Sequence, residues 1–171
     1  MKNTNRRQFL KHTSTAAAAI PLAVHAAGSD TLKLGLIGCG GRGTGAAAQA
    51  LQADKHIELV AMGDMFTDRL EKSLNTLTKM PAVAGKVRVP SARQFVGWDA
   101  YEKVLATDVD SVILTTPPHF RPAHLRAAIT AGKHVFAEKP VAVDAPGVRS
   151  VLESCEIAKK KNLSVVSGLC L

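Results

Sequence analysis

Three glycines near the start of the chain form the pattern Gly38-x-Gly40-x-x-Gly43. The apolar run before them, 32–37, predicts a strand, and the Ala-rich stretch after them, 44–53, predicts a helix. A glycine turn between a strand and a helix presents the first backbone amides of the helix at its positive end, where phosphate groups bind. Glycine-rich turns are common, so the surrounding sequence decides the interpretation.

Each residue of this loop has a physical role. Gly38 permits the tight turn, Gly40 lets the backbone approach a pyrophosphate, and Gly43 lets the helix pack closely against the strand. Gly41 and Arg42 complete the segment that we predict to contact the phosphates. Two alternatives remain for the turn: a structural turn without a ligand, and S-adenosylmethionine binding.

An acidic residue, Asp64, supports binding of a dinucleotide. It follows the second apolar run, 57–62, and lies 21 residues after Gly43. An acid at the end of a second strand accepts hydrogen bonds from the adenosine ribose hydroxyls of such a cofactor. Its charge repels the 2′-phosphate of NADP, so the sequence predicts NAD as the cofactor and disfavours NADP.

Alternating apolar runs and helical periods position these residues. Strands are predicted at 32–37, 57–62, 109–116, 135–137 and 163–166, with an irregular connection at 80–97 that includes a short strand at 87–89. Helices are predicted between these strands. This alternation predicts an α/β fold of the Rossmann type, with a doubly wound and mostly parallel sheet, over residues 32–171.

Helix boundaries are indicated by capping residues. Thr67, Asp99 and Asp144 are predicted N-caps, Pro122 marks a helix start, and Gly132 marks a helix end. The predicted apolar face of the last helix comprises Val148, Val151, Leu152, Cys155 and Ala158.

The first 26 residues have the pattern of a targeting segment. A basic start containing Arg6-Arg7 is followed by a mildly apolar run and by small residues near position 26. The adjacent arginines resemble a twin-arginine (Tat) signal, which predicts export to the periplasm and the Tat machinery as a partner. The apolar run is too short for a membrane anchor. A disordered basic N-terminus is the alternative.

Net charge gives no reason to expect a nucleic-acid partner. Lys and Arg total 22 against 14 acidic residues, but four of these cations lie in the first 26 residues, where there is no acid. The remainder therefore has 18 cations against 14 acids. No basic stripe interleaves with the few aromatic residues, which excludes a stacking nucleic-acid surface. The three cysteines show no CxxC pairing and are predicted to be small core residues.

A family resemblance rests on two segments later in the chain. Thr115-Thr116-Pro117-Pro118-His119 follows the strand predicted at 109–116, and the string 131–140 ends in Glu138-Lys139-Pro140. Together with the glycine loop they resemble the Gfo/Idh/MocA oxidoreductases, and the similarity covers residues 32–169. Glu138-Lys139-Pro140 is the most specific of these motifs.

The resemblance implies roles for several residues. Thr116 and Pro117 would line the nicotinamide side of the cofactor, with His119 as a further cofactor contact in the same segment. Glu138 would approach the nicotinamide ribose, and Lys139 would lie beside the reacting carbon as both a catalytic and a cofactor-binding residue.

The chain departs from the family pattern at two positions. The family often has Asn and His where this chain has Pro118 and Arg121. Arg121 is therefore a candidate hydrogen-bond donor to cofactor or substrate.

The chemistry expected of Lys139 is electrostatic. Oxidation of a secondary alcohol removes the hydroxyl proton together with a hydride, and a nearby ammonium group stabilises the alkoxide-like charge on the oxygen. The alternative for Lys139 is a solvated loop residue. His119 and His124 do not suggest a metal site, because they are five residues apart and no carboxylate pair accompanies them.

We therefore expect the NAD-binding domain of an exported oxidoreductase that transfers hydride between a sugar or cyclitol hydroxyl and NAD. The alternatives are an NAD-dependent glycosidase of the same family and a noncatalytic truncated fragment. The family pairs this domain with a second α/β domain, which we expect to be absent from the 171 residues. The chain alone should then bind NAD weakly without catalysing a reaction, and the full-length protein should form a homo-oligomer.

Overall fold

The computed structural model describes residues 31–168, in which strands and helices alternate as the apolar patterns predict. The strands are β1 (Leu32–Ile37), β2 (Ile57–Asp64), β3 (Gln94–Val96), β4 (Ser111–Leu114), β5 (His134–Glu138) and β6 (Val165–Gly168). The helices are α1 (Gly41–Ala53), α2 (Thr67–Lys79), α3 (Ala100–Leu105), α4 (Arg121–Thr130) and α5 (Ala145–Lys160), and short 3₁₀ turns occupy Ala84–Lys86 and Ser91–Arg93.

All six strands are parallel and lie in the order β3-β2-β1-β4-β5-β6. The chain moves outward from β1 to β3, returns to the centre, and moves outward in the other direction from β4 to β6. In sheets of this type, ligands bind at the carboxyl ends of the strands where the order reverses, which here is between β1 and β4. The Rossmann-type fold predicted from the sequence is confirmed.

Two hydrophobic clusters fill the space between the sheet and its helices. One includes Leu36, Leu51 and Leu70 with α1 and α2, and the other includes Val112 and Leu125 with α3, α4 and α5. Because helices cover both faces, the buried stretches of β1, β2 and β4 are apolar on both faces rather than alternating in polarity.

Some predicted boundaries differ from those observed. Helix α1 begins at Gly41, three residues before the predicted start, because the glycine loop itself enters helical geometry. Strand β4 ends at Leu114 instead of 116. The strand predicted at 87–89 is wrong: Val87 forms only an isolated bridge to Leu59, and the edge strand is instead β3, at 94–96.

The predicted caps had mixed outcomes. Asp144 caps α5, with its Oδ1 accepting from the Gly147 amide at 2.7 Å, as predicted. Asp99 occupies the cap position of α3 without a capping bond, because its carboxylate pairs with Lys103 at 2.8 Å. Thr67 is the first helical residue of α2 rather than its cap.

The predicted apolar face of α5 is too wide. Val151 and Ala158 are buried, whereas Val148 is 42% and Leu152 61% exposed. The helix instead buries Ser154, whose hydroxyl donates to the Ser150 carbonyl at 2.7 Å and is thereby satisfied.

At the amino ends of the strands, Asp108 accepts hydrogen bonds from Lys33 and Arg93, each at 2.6 Å. These two cations lower the pKa of the Asp108 carboxyl to about 2, chiefly through the hydrogen bond from Lys33. Cys39 is buried and Cys155 half-buried, both with free thiols, in agreement with the core role expected for them, whereas Cys170 lies outside the described residues.

Within residues 31–168, no helix is both long enough and apolar enough to cross a membrane. The segment predicted as a targeting signal lies outside the described residues.

Candidate functional site

A groove with a volume of about 630 Å³ lies at the carboxyl ends of the central strands. It is lined by the glycine loop after β1, the end of β2, and the residues that follow β3, β4 and β5. Parallel strands bring these segments together although they are far apart in the sequence. The groove therefore brings together most of the predicted site residues.

Two glycines of the loop are required by its backbone geometry. Gly38 has a φ of +95°, a conformation that residues with side chains rarely adopt, and a Cβ atom there would lie 2.7 Å from the Thr116 amide nitrogen. A Cβ atom at Gly43 would lie 2.0 Å from the Gly38 carbonyl oxygen and 2.5 Å from the Thr115 hydroxyl. The close packing of α1 against the turn therefore excludes any side chain at Gly43.

Gly40 and Gly41 differ from these, because a Cβ atom at either would meet no protein atom within 4 Å. The open space beside them adjoins the start of α1, which has no side-chain cap and no acidic residue in its first turn. Uncapped amides at the positive end of a helix provide hydrogen bonds for an anion. The residues present therefore fit the pyrophosphate of a dinucleotide.

The Asp64 carboxylate is held by two backbone amides at the end of β2. Its Oδ2 accepts from the Cys39 nitrogen at 2.6 Å, and its Oδ1 accepts from the Phe66 nitrogen at 2.9 Å. These bonds orient the carboxylate at the groove, where its remaining lone pairs can accept from ribose hydroxyls. Burial, reinforced by the nearby Asp64 charge, raises the pKa of the Cys39 thiol, which stays protonated.

An ion pair connects the glycine loop with the end of β5. Arg42 donates from Nε to Glu138 Oε1 at 2.7 Å, and its Nη2 donates to the same oxygen. Glu138 is buried, and the hydrogen bond from Arg42 lowers its pKa, so the carboxylate remains ionised. Sequence reasoning selected both residues for cofactor binding but did not predict their contact.

Lys139 follows Glu138 at the groove. Its side chain is exposed, and its amide donates to Glu138 Oε2 at 3.3 Å. Among residues 31–168, no carboxylate forms an ion pair with the Lys139 ammonium group. Lys139 is thus positioned to meet a ligand in the groove.

Arg121 makes contacts that sequence reasoning did not predict. It is 3% exposed, and its guanidinium donates to the backbone carbonyls of Thr116 and Pro140. These two bonds use one N–H each of Nη1 and Nη2, and Arg121 also lines the groove, so its donation to cofactor or substrate stays a prediction.

The other residues of the Thr-Pro segment divide into two groups. Thr116 and Pro117 line the groove, as expected for residues that contact the cofactor. His119 is not among the groove-lining residues: its ring is exposed and meets the Phe120 ring edge-on, with centroids 5.3 Å apart. Its cofactor contact remains a prediction that this geometry does not support.

An aromatic wall along the groove was missed by sequence reasoning. Trp98 is 71% exposed and its ring packs edge-on against Phe120, with centroids 5.8 Å apart. Tyr101 stacks on His124 at 4.1 Å. These residues lie after an irregular connection and in short elements, so no hydrophobic period marked them as neighbours of the groove.

In the part of the chain that the structure describes, no group of three or more His, Cys, Asp or Glu side chains could hold a metal ion.

Comparison with known proteins agrees with this architecture. Residues 32–168 match the model of the GFO_IDH_MocA family, described as an oxidoreductase family with an NAD-binding Rossmann fold. The chain is 30% identical over 124 residues to an inositol 2-dehydrogenase of Klebsiella pneumoniae, which covers 72% of this chain and 33% of that protein.

Two further similarities extend the comparison. A glycosyl hydrolase family 109 protein of Solibacter usitatus is 32% identical over 154 residues, covering 83% of this chain and 34% of that protein. The crystal structure of an NAD binding oxidoreductase from Klebsiella pneumoniae aligns with a TM-score of 0.61 and 28% identity, covering 81% of this chain and 34% of that one. The chain thus spans about a third of the length of the curated relatives that it matches.

Proposed function

Because the chain belongs to the Gfo/Idh/MocA oxidoreductase family through its NAD-binding Rossmann domain, we propose that it acts in hydride transfer between a sugar or cyclitol hydroxyl and NAD. The observation that carries this proposal is the placement of Lys139. Its exposed side chain lies at the same groove as the open glycine loop, immediately after the buried carboxylate of Glu138.

Some residues of the groove bind the cofactor, and Lys139 takes part in the chemistry. The amides at the start of α1 bind the pyrophosphate, and Asp64 accepts hydrogen bonds from the adenosine ribose. The nicotinamide, when bound, supplies the hydride acceptor. Oxidation of the alcohol removes a proton from the hydroxyl, which passes to solvent, and a hydride from the carbon. The Lys139 ammonium stabilises the negative charge on the substrate oxygen as the proton leaves.

A polyol or sugar substrate is supported by the relatives. The Klebsiella relative is named for inositol, a cyclitol, and that name motivates a polyhydroxylated substrate here. Such a substrate has secondary hydroxyls whose oxidation is the reaction that an ammonium group at Lys139 can assist.

The proposal is tested in a chimaera that joins residues 1–171 to the remaining two thirds of the Klebsiella inositol dehydrogenase. We expect NADH formation with polyols. Lys139→Ala should strongly reduce the rate of hydride transfer but leave NAD affinity within about tenfold, because the phosphate and adenosine contacts lie elsewhere.

Lys160→Ala, which removes an exposed lysine at the end of α5, is the matched control and should retain wild-type turnover. Unchanged turnover in Lys139→Ala would return Lys139 to the role of a solvated loop residue.

A second candidate function is NAD-dependent glycoside cleavage. It is favoured by the family 109 relative, which matches more of this chain than the inositol dehydrogenase does. Incubation of a chimaera built on that relative with an aryl glycoside separates the two functions. Release of the aryl group without net NADH formation indicates cleavage, whereas net NADH formation indicates a dehydrogenase.

We further propose that the protein is exported to the periplasm by the Tat pathway, on the basis of Arg6-Arg7 and the small residues near position 26. Replacing both arginines with lysine retains the charge and removes the twin-arginine pattern. We expect the double variant to stay in the cytoplasm, as measured by fractionation with a protease-protection control. Appearance of folded protein in the periplasm would contradict the assignment.

A further inference from the structure

Arg121 is a buried cation at the start of α4, and its position requires an explanation. It is 3% exposed, and within residues 31–168 its Nε has no hydrogen-bond partner. Burial lowers its pKa, against the opposing effect of Glu138. Burying a charged group is unfavourable unless its hydrogen bonds compensate, and an apolar side chain often stabilises such a site equally well. Stability alone therefore does not explain an arginine here.

The two carbonyl groups that Arg121 binds lie at the open end of the sheet. Strands β4 and β5 pair as far as Leu114 with Ala137, and the sheet hydrogen bonds between them end there. Thr116 follows β4 and Pro140 follows Lys139, and the Arg121 guanidinium donates to both of their carbonyl oxygens. One planar side chain thus connects the two loops beyond the last strand pair.

His124 contacts the loop after β4 at a second atom, the Thr116 hydroxyl. Its Nδ1 lies 3.1 Å from the Thr116 hydroxyl, and its ring stacks on Tyr101. Burial, with a smaller contribution from the Arg121 charge, lowers the pKa of His124 to about 4. The imidazole therefore stays neutral near pH 7, and Thr116 is held through both its hydroxyl and its carbonyl oxygen.

We propose that Arg121 is a positioning residue that sets the separation of Thr116 and Lys139 at the nicotinamide end of the groove. This inference rests on the proposed function, because it requires that end of the groove to receive the nicotinamide. Arg121 acts through the backbone of the two loops, because its guanidinium holds a carbonyl oxygen of each. A lysine cannot replace it fully, because an ammonium group lacks the planar pair of donors that reaches both carbonyls.

The test compares the binding of NADH and ADP-ribose to the purified 171-residue chain. ADP-ribose has the adenosine and pyrophosphate but lacks the nicotinamide. We expect wild type to bind NADH more tightly than ADP-ribose. Arg121→Met should weaken NADH binding by about tenfold and change ADP-ribose binding by less than about twofold, and Arg121→Lys should give an intermediate loss.

Arg126→Met is the matched control, because Arg126 lies on the same helix and pairs with the exposed Glu153 at 2.9 Å. It should leave both affinities unchanged. Thermal unfolding of each variant checks that the domain is folded, and Arg121→Lys provides the comparison if Arg121→Met does not fold.

The outcomes separate the two proposals. Equal losses of NADH and ADP-ribose affinity in the Arg121 variants, or no loss of either, would overturn the positioning role while leaving the proposed function intact. Failure of the wild-type chain to bind either ligand would overturn the proposed function and the inference with it.

Discussion

Arg42 and Glu138 are 96 residues apart in the sequence, yet the Arg42 guanidinium and the Glu138 carboxylate form the ion pair that joins the glycine loop to the end of β5. The Glu138 side chain is 4% exposed and the Arg42 side chain 45%. A largely buried carboxylate is thus balanced by an arginine that reaches in from the rim of the groove.

Breaking this pair should destabilise the fold. Arg42→Gln leaves a buried carboxylate without its cation and should reduce the free energy of unfolding by about 1 to 2 kcal/mol, less than for a fully buried pair because Arg42 is partly solvated. Urea denaturation measures the change. Arg126→Gln breaks the more exposed pair with Glu153 and should cost at most about 0.5 kcal/mol. Equal losses in the two variants would contradict the interpretation.

Two glycine substitutions should separate stability from binding. Gly43→Ala forces a Cβ atom against the Gly38 carbonyl oxygen and should cost at least about 2 kcal/mol of unfolding free energy. Gly40→Ala meets no protein atom and should change stability by less than about 0.5 kcal/mol. It should nevertheless weaken NAD binding by at least about tenfold, because its methyl group fills the space for the pyrophosphate.

Denaturation curves and calorimetric titration with NAD measure these two effects. If Gly40→Ala binds NAD as wild type does, the pyrophosphate does not lie against the glycine loop.

Asp64 should make the chain selective for NAD. At about 4 Å and an effective dielectric constant near 20, its repulsion of a 2′-phosphate is on the order of 4 kcal/mol per unit charge before screening. We expect NAD to bind at least ~100-fold more tightly than NADP, equivalent to roughly 2.8 kcal/mol. Calorimetric titration measures both affinities, and Asp64→Ser should improve NADP binding. Equal affinities in the wild-type chain would refute the assignment.

His124 should contribute a pH dependence to stability. The folded state lowers its pKa from 6.5 to about 4, so the unfolded chain binds more protons between these values. Stability from this residue is therefore complete above pH 6.5 and is lost as the pH falls towards 4. Unfolding free energies of wild type and His124→Asn, measured across this range, should converge as the pH falls. A constant difference would show that His124 is not held neutral.

The local part of the fold and site was accessible from the sequence. The strand, glycine turn and helix around Gly38 lie within some twenty residues, and Asp64 ends the next strand, so hydrophobic period and residue type predict them directly. The Asp144 cap was predicted for the same reason. Strand β3 was missed because three residues are too few to show a period.

Contacts between distant segments were not accessible in this way. Periodicity places Arg121 at a helix start but contains no information about the carbonyl groups that it meets. Those partners depend on how far β4 and β5 extend before their loops diverge, and β4 ends two residues earlier than predicted. The sequence therefore predicted a donor to cofactor or substrate at Arg121 but not its bonds to two backbone carbonyls.

The cluster of Lys33, Arg93 and Asp108 lies at the amino ends of the strands, across the sheet from the groove. None of these three residues lines the groove, so substitutions there change the stability of the domain without changing a groove-lining side chain. Residues at the amino ends of the strands thus affect the stability of the fold, whereas residues at the carboxyl ends determine which ligand binds. Sequence change at the amino ends can preserve the fold, while the loops at the carboxyl ends diversify to accept new substrates.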